Sequence, residues 1–274
     1  MSRSSTDGAA AACVVTLTTA HRRRLRALWR SAGWPSHDAL DLELLVAGLL
    51  SRHLDAAGRE SLRLTDAGLH ELARTVQGHR SARDAHEALV ARVSLEMHRA
   101  GRLVWRGLSL RAPVAAEVAG PDGSTAAITR WAMAMPDVFS IRPSTLEAHV
   151  EPVVHEIKVR RADLLGDLKK PAKGEAYRAL ASQCWYVLAA GIGDEHDVPE
   201  VYGVMRAHPV AGAEGLLRYG ALEVLRPAPR RACRVPHAGW LALARATPER
   251  FDDEPQASLM PDDDVPEPGP GDAA

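Results

Sequence analysis

A chain of 274 residues with 46% hydrophobic and 25% charged residues has an ordinary globular composition, and its length suits one large domain or two smaller ones. No apolar stretch approaches the roughly 20 residues of a membrane span, and three scattered cysteines form neither a disulfide framework nor a zinc spacing, so a reduced cytoplasmic protein without membrane contact is expected. Residues 252–274 hold eight acids and no Lys or Arg, which leaves a net charge of +7 on residues 1–251 against −1 for the whole chain. A basic body suits a polyanionic partner, although so modest a charge is also compatible with having none.

The N-terminal part of the chain predicts a small helical domain with one hairpin. Residues 1–20 are interpreted as a disordered leader. An arginine-rich helix is expected over 21–32, and a second helix, capped by Ser36 or Asp38, reaches about Ala47. Two short alternating runs at 48–54 and 61–64 predict a hairpin, and Thr65 caps a helix that ends near Val76.

This order of helix, helix, hairpin and helix resembles a winged helix-turn-helix domain, which residues 21–80 would form. The string Leu-Arg-Leu-Thr-Asp-Ala-Gly-Leu at 62–69 is similar to the junction between wing and last helix in such regulators. The chain departs from that family because two helices, rather than three, precede the hairpin. A helical cap or a dimerisation module is the alternative.

A larger α/β domain is expected over residues 85–250, after a polar linker at 77–84. Its predicted helices are 85–100, 162–168, 174–182 and 238–246, with Pro171 interrupting the second helical stretch. Its predicted strands are 103–110, 131–141, 150–160, 184–189, 201–207 and 216–225, with a turn at 120–123. Residues 251–274 are interpreted as an acidic disordered tail, which would contact the basic surface of this chain or a protein partner.

The run Val153–Val159 carries two charges on a strand that is otherwise apolar. Because side chains alternate along a strand, Glu156 and Lys158 share one face, whereas His155 and Ile157 share the other. An ion pair on a solvated face would explain such a pair. Charges on a central apolar strand are costly, however, unless they reach a cleft and find partners.

Asp137 stands at the entry to the preceding strand, directly after Pro136. Two carboxylates brought together favour a hard divalent cation such as Mg²⁺ or Mn²⁺. A metal ion beside a lysine is a suitable set for phosphodiester hydrolysis, because the ion lowers the pKa of bound water and Lys158 can position that water and stabilise the transition state.

The pattern Pro136-Asp137 followed by Glu156-x-Lys158 resembles the PD-(D/E)XK nuclease superfamily. Residues 160–164 and the later segment Tyr177 to Val187 resemble the MmcB-type group of predicted DNA-repair endonucleases, and the likeness covers about residues 85–225. It implies a restriction-endonuclease-like mixed sheet flanked by helices, with Asp137 and Glu156 as metal ligands. It also implies a further acid on the first helix, for which Glu87 is the candidate and Glu96 the rival, and an ordinary exposed helix acid is an equal alternative for both.

Basic residues follow the predicted site directly. All four lysines of the chain, Lys158, Lys169, Lys170 and Lys173, fall within sixteen residues. Arg160, Arg161, Lys170 and Lys173 are predicted to contact DNA phosphates, as expected beside a nuclease centre. A solvated helix face balanced by nearby acids is the alternative.

Three functions therefore stay open at the level of sequence. The first is a Mg²⁺- or Mn²⁺-dependent DNA endonuclease of repair or defence, as a monomer or homodimer. The second is a winged-helix DNA-binding regulator whose nuclease-like domain is an inactive scaffold. The third is an interaction protein that recruits a partner through its acidic tail.

Overall fold

The computed structural model describes residues 16–119, 125–212 and 216–251. The chain divides into two compact units, Met1–Glu87 and Ala88–Ala274. The predictions for residues 1–15, for the turn at 120–123 and for residues 252–274 lie outside the described residues. Within the described part of the chain, no helix is long and apolar enough to cross a membrane.

The first unit contains α1 (Thr19–Arg30), α2 (Ala39–Val46), β1 (Leu50–Leu54), β2 (Glu60–Leu64) and the start of α3 (Asp66–Arg99). Asp38 caps α2 by accepting a hydrogen bond from the backbone of Asp41, and the Thr65 hydroxyl accepts one from Gly68 at the start of α3. Strands β1 and β2 pair antiparallel.

The core of this unit is made of leucines, and those of α1 lie on one face of the helix. Leu25 and Leu28 of α1 pack with Leu44 of α2 and Leu62 of β2. The elements lie in the order expected from the sequence, and the winged-helix assignment stays a prediction.

The predicted linker at 77–84 is wrong, because these residues belong to α3, a helix of 34 residues. The segment is polar on almost all sides, which a linker and an exposed helix share. It contains no proline, and its two arginines, its alanine and its glutamine are good helix formers. Gly78 weakens the helix by only about 1 kcal/mol relative to alanine, so helix formation prevails.

The second unit continues from the end of α3 through strands and short helices. In chain order these are β3 (Leu103–Arg106), β4 (Leu110–Ala119), β5 (Thr125–Ala134), β6 (Val138–Ile141), β7 (Val153–Lys158), α4 (Arg161–Leu168), α5 (Pro171–Leu180), β8 (Gln183–Ala189), β9 (Gly203–Ala211), β10 (Leu217–Arg226) and α6 (His237–Arg245). Short 3₁₀ helices lie at Glu147–His149 and Glu195–Asp197.

Six of the described strands form one mixed sheet in the order β10-β9-β8-β7-β6-β3. Strands β7, β8 and β9 are parallel to one another, and the remaining pairs are antiparallel. Leu89 and Val93 of α3 pack on one face of the sheet beside Ile157. Leu164 of α4 and Leu180 of α5 belong to the core on the other face. The unit is therefore a mixed sheet flanked by helices, as expected.

The prediction of one strand over 131–141 is wrong. The structure has β5 up to Ala134 and β6 from Val138, with Pro136 in the break. Proline has no N–H to donate to a strand partner, and the chain here leaves one sheet and enters another. The predicted strand 103–110 likewise ends at Arg106, and β4 pairs with β5 in a separate hairpin.

Pro171 begins a helix and does not interrupt one. It occupies the first turn of α5, where a missing N–H costs nothing. Helix α4 ends before it, at Leu168, and Lys170 forms the N-cap of α5. This break between α4 and α5 sets the direction of the side chains that reach strand β7.

Candidate active site

Glu156 and Lys158 lie side by side on one face of β7, as the alternation predicts. The Lys158 ammonium donates a hydrogen bond to Oε1 of Glu156, and both side chains are largely buried. His155 and Ile157 point to the opposite face, where Ile157 belongs to the core with α3. The strand therefore carries two charges into the interior of the unit.

Asp137 is brought next to this pair by the antiparallel pairing of β6 and β7. Val138 pairs with His155, so Asp137 extends the register to the level of Glu156. Oδ2 of Asp137 accepts a hydrogen bond of 2.7 Å from the backbone N–H of Ile157. The three residues that the sequence predicted as a catalytic set thus meet at the same part of β7.

The structure adds a second lysine and a third carboxylate that the sequence did not place here. Nζ of Lys173 lies 2.6 Å from Oε1 of Glu156 and 2.7 Å from Oδ1 of Asp167. Nζ of Lys158 lies 3.6 Å from Oδ2 of Asp167. Two ammonium groups therefore bridge two buried carboxylates, which balances the charge that burial would otherwise make costly.

Two tyrosine hydroxyls complete the hydrogen bonding. The Tyr177 hydroxyl lies 2.8 Å from Oε2 of Glu156 and 3.0 Å from the carbonyl oxygen of Met135. The Tyr186 hydroxyl donates to Oδ2 of Asp167 at 3.0 Å. We call Glu156, Lys158, Asp167, Lys173, Tyr177 and Tyr186 the polar cluster.

The pKa shifts of Asp167 and Lys173 favour the charged forms of these two side chains. Burial disfavours the Asp167 carboxylate, but Lys173, Lys158 and Tyr186 outweigh it and lower its pKa. Burial also disfavours the Lys173 ammonium, but Glu156 and Asp167 outweigh it and raise its pKa. Burial and the neighbouring carboxylates raise the pKa of both tyrosines, so their hydroxyls stay protonated donors.

Comparison of the chain with protein-family models, with curated proteins and with solved structures found no match. The family resemblance of the Pro-Asp and Glu-x-Lys motifs therefore stays a prediction.

Asp137 and Glu156 are the residues that could hold a divalent cation. They fit Mg²⁺ in ligand type, because this ion is usually bound by one or two carboxylates and keeps water or phosphate as its other ligands. Among the described residues, no three His, Cys, Asp or Glu side chains are grouped as a metal site would require. A cation at Glu156 would therefore depend on two carboxylates and would compete with the ammonium of Lys173.

The structure does not bring the predicted acid of the first helix into this set. Glu87 is exposed, and its carboxylate lies 3.6 Å from Nδ1 of His86. The rival, Glu96, pairs with Arg92 at 2.7 Å. Both have the ordinary helix surroundings that were the alternative interpretation.

The four predicted phosphate contacts fall into different environments. Lys170 is exposed and Arg160 is half-buried. Arg161 is engaged in a surface ion pair with Asp197 at 2.9 Å. Lys173 is directed into the polar cluster, so its ammonium holds carboxylates in place of phosphate.

Sequence reasoning missed Asp167 and the hydrogen bond that Tyr186 donates to it. Tyr186 pairs with Glu156 in the parallel register of β7 and β8, which places both side chains on one face. A tyrosine within an apolar strand was the available indication. Asp167 offered none, because its direction depends on where α4 ends.

Proposed function

We propose that the second unit is a metal-dependent DNA endonuclease with its catalytic centre at Asp137, Glu156 and Lys158. The observation that carries the proposal is the 2.7 Å hydrogen bond between Asp137 and the N–H of Ile157. It fixes a carboxylate from a separate strand entry beside a Glu-x-Lys strand. A mixed sheet flanked by helices also supports the proposal, because the motif resemblance implies that architecture.

Each residue of this set has a separate part in hydrolysis. A bound Mg²⁺ would supply charge neutralisation at the phosphate and a more acidic water. Asp137 and Glu156 would hold the ion, and Tyr177 fixes the orientation of Glu156 through its second oxygen. Lys158 lies on the same strand face, where an ammonium can orient the attacking water and stabilise charge that develops on phosphate.

The buried charges of the polar cluster also support a chemical function. Replacing a buried ion pair by well-packed apolar side chains is often neutral or stabilising. A sheet kept only for its fold would therefore gain little from two carboxylates and two ammonium groups. Their presence beside Asp137 is explained more simply by phosphodiester chemistry.

A DNA-binding regulator with an inactive nuclease-like scaffold is the second candidate. The observation in its favour is that both oxygens of Glu156 already accept hydrogen bonds, from Lys158, Lys173 and Tyr177. A closed cluster of this kind could be purely structural. The two candidates differ in whether any metal ion promotes cleavage.

The test is cleavage of single-stranded, duplex and branched DNA with Mg²⁺ or Mn²⁺. We expect Asp137→Ala, Glu156→Ala and Lys158→Ala each to abolish cleavage, with Lys169→Ala as the matched control because Lys169 is exposed beside the cluster. Circular dichroism checks that each variant is folded, and Mn²⁺ binding, measured by electron paramagnetic resonance, reports the metal site without turnover. Full activity in all three variants would refute the site, and DNA binding without cleavage under any metal would favour the regulator.

A further inference from the structure

A pocket of about 200 Å³ lies directly beside the polar cluster. Its wall is formed by the end of α4, by α5 from its first turn to its last, by strand β8 and by the residues that precede β9. Asp167, Lys173 and Tyr186 belong both to this wall and to the polar cluster. A volume of this size admits a phosphate group with part of its sugar, whereas a duplex could only lie across its mouth.

The charges of the pocket wall favour an anion. Lys170, Lys173 and Arg178 line it, and Asp167 is the acid among the described residues of the wall. Asp167 is already balanced, because Lys173 and Tyr186 bind its two oxygens. Lys170 and Arg178 form no ion pair with any described residue, so the wall has two cations without an acidic partner in the part of the chain that the structure describes.

Two polar groups at the pocket, Nε of Arg178 and the Tyr202 hydroxyl, lack a hydrogen-bond partner among the described residues. Nε of Arg178 is buried and, within the described part of the chain, has no hydrogen-bond partner. The Tyr202 hydroxyl likewise hydrogen-bonds to no described residue. It stands so close to α5 that a Cβ at Gly174 would lie 2.1 Å from it. A glycine in a helix costs about 1 kcal/mol relative to alanine, and here it leaves room for a hydroxyl at the wall.

We propose that this pocket binds a phosphate group of the nucleic acid, held by Lys170, Arg178 and Tyr202, and this inference rests on the proposed nuclease function. Arginine and lysine form charge-assisted hydrogen bonds with phosphate, and a tyrosine hydroxyl can donate a third. Because the wall shares Asp167 and Lys173 with the polar cluster, the bound phosphate would neighbour the one that is cut. The phosphate could be a terminal monoester or a backbone diester, which share this chemistry.

The test measures binding without cleavage. A short oligothymidylate with a 3′-fluorophore, with or without a 5′-phosphate, is titrated with the full chain in EDTA and followed by fluorescence anisotropy. We expect Lys170→Gln and Arg178→Gln each to weaken binding about tenfold, the equivalent of one charge-assisted hydrogen bond. Tyr202→Phe removes only an oxygen and should weaken binding by a smaller factor. Lys169→Gln removes the same charge from the adjacent exposed residue and should stay within about twofold of the wild type.

Each outcome decides one question. If a 5′-phosphate strengthens binding and the pocket variants cancel that gain, the pocket holds a terminal phosphate. If the pocket variants weaken the binding of both oligonucleotides equally, the pocket holds a backbone phosphate. Unchanged binding in Lys170→Gln and in the conservative Tyr202→Phe variant, or an equal loss in Lys169→Gln, would overturn the pocket. Binding that follows the expected pattern in a protein that never cleaves would retain the pocket and refute the nuclease.

Discussion

Replacing Lys173 with methionine should destabilise the second unit and reveal what this lysine does. Its ammonium lies 2.6 Å from Glu156 and 2.7 Å from Asp167, both of which are buried. Removing one partner from a buried ion pair costs about 3–5 kcal/mol. The Lys173 side chain is 30% exposed, and Lys158 remains beside both carboxylates. We therefore expect a loss of about 2–3 kcal/mol in the free energy of unfolding.

The assay is urea unfolding followed by circular dichroism at neutral pH, with Lys169→Met as the control. Lys169 is exposed, so its replacement should change the free energy of unfolding by less than about 0.5 kcal/mol. If both variants change the free energy of unfolding by an equal, small amount, Lys173 does not stabilise the polar cluster. The original prediction, that Lys173 contacts DNA phosphate, would then be favoured.

The same comparison has a pH dependence whose sign follows from Asp167. Burial alone would raise the pKa of this carboxyl, but the interactions of the folded protein, chiefly those with Lys173, lower it overall. The contribution of Asp167 to stability is therefore present above its ordinary pKa of 3.8 and is lost as the pH falls through its pKa in the folded protein. Without Lys173 that contribution shrinks, so wild type and Lys173→Met should differ most above about pH 4 and converge in acid.

Four other substitutions test the packing and the site. Burial, followed by the charge of Arg102, lowers the pKa of His155 from 6.5 to about 3, so stability is full above pH 6.5 and falls towards pH 3. At pH 5 the wild type should therefore have lost about 2 kcal/mol of its free energy of unfolding through His155, and His155→Leu should not show this loss. An unchanged decrease in the free energy of unfolding between pH 6.5 and pH 5, measured by urea unfolding of the variant, would contradict this. Gly78→Ala should stabilise the continuous helix by up to about 1 kcal/mol, whereas Gly203→Ala should cost about 1–3 kcal/mol, because its Cβ would meet the Ala228 nitrogen at 2.6 Å. Equal melting temperatures of these two glycine variants would contradict the structure. Tyr177→Phe should keep DNA affinity in EDTA and reduce the rate of metal-dependent cleavage at least tenfold, and an unchanged rate would show that the hydroxyl does not orient the carboxylate.

The side chains that share one face of β7 could be predicted, because the face on which a side chain lies depends only on strand periodicity. Alternation places Glu156 and Lys158 together whatever the rest of the fold does. Placing Asp137 beside Glu156 required one more assumption, that the preceding strand lies next to β7. The structure has this arrangement, because β6 pairs antiparallel with β7 and Val138 lies opposite His155. Both steps use contacts between residues that are near in sequence.

The positions of Asp167 and Lys173 in the polar cluster could not be predicted in this way. Lys173 reaches Glu156 only because α4 ends at Leu168 and α5 begins at Pro171, which turns the chain back towards the sheet. A proline in a helical pattern can interrupt a helix or begin one, and local preference does not decide between them. The confinement of lysine to residues 158–173 pointed to the right region, but the sequence left open whether each ammonium faces DNA or protein.

The arrangement of the lysines suggests how one site could serve both stability and chemistry. Lys158 and Lys173 bind the same oxygen of Glu156, so the carboxylate keeps one ammonium neighbour when the other is displaced. A divalent cation at Asp137 and Glu156 would repel both, but Lys173 retains Asp167 as an alternative partner at 2.7 Å. Asp167 also faces the adjacent pocket, where two further cations lack ion-pair partners among the described residues. A phosphate bound there would offset the charge that a metal ion adds, so nucleic acid and metal ion should each strengthen the binding of the other.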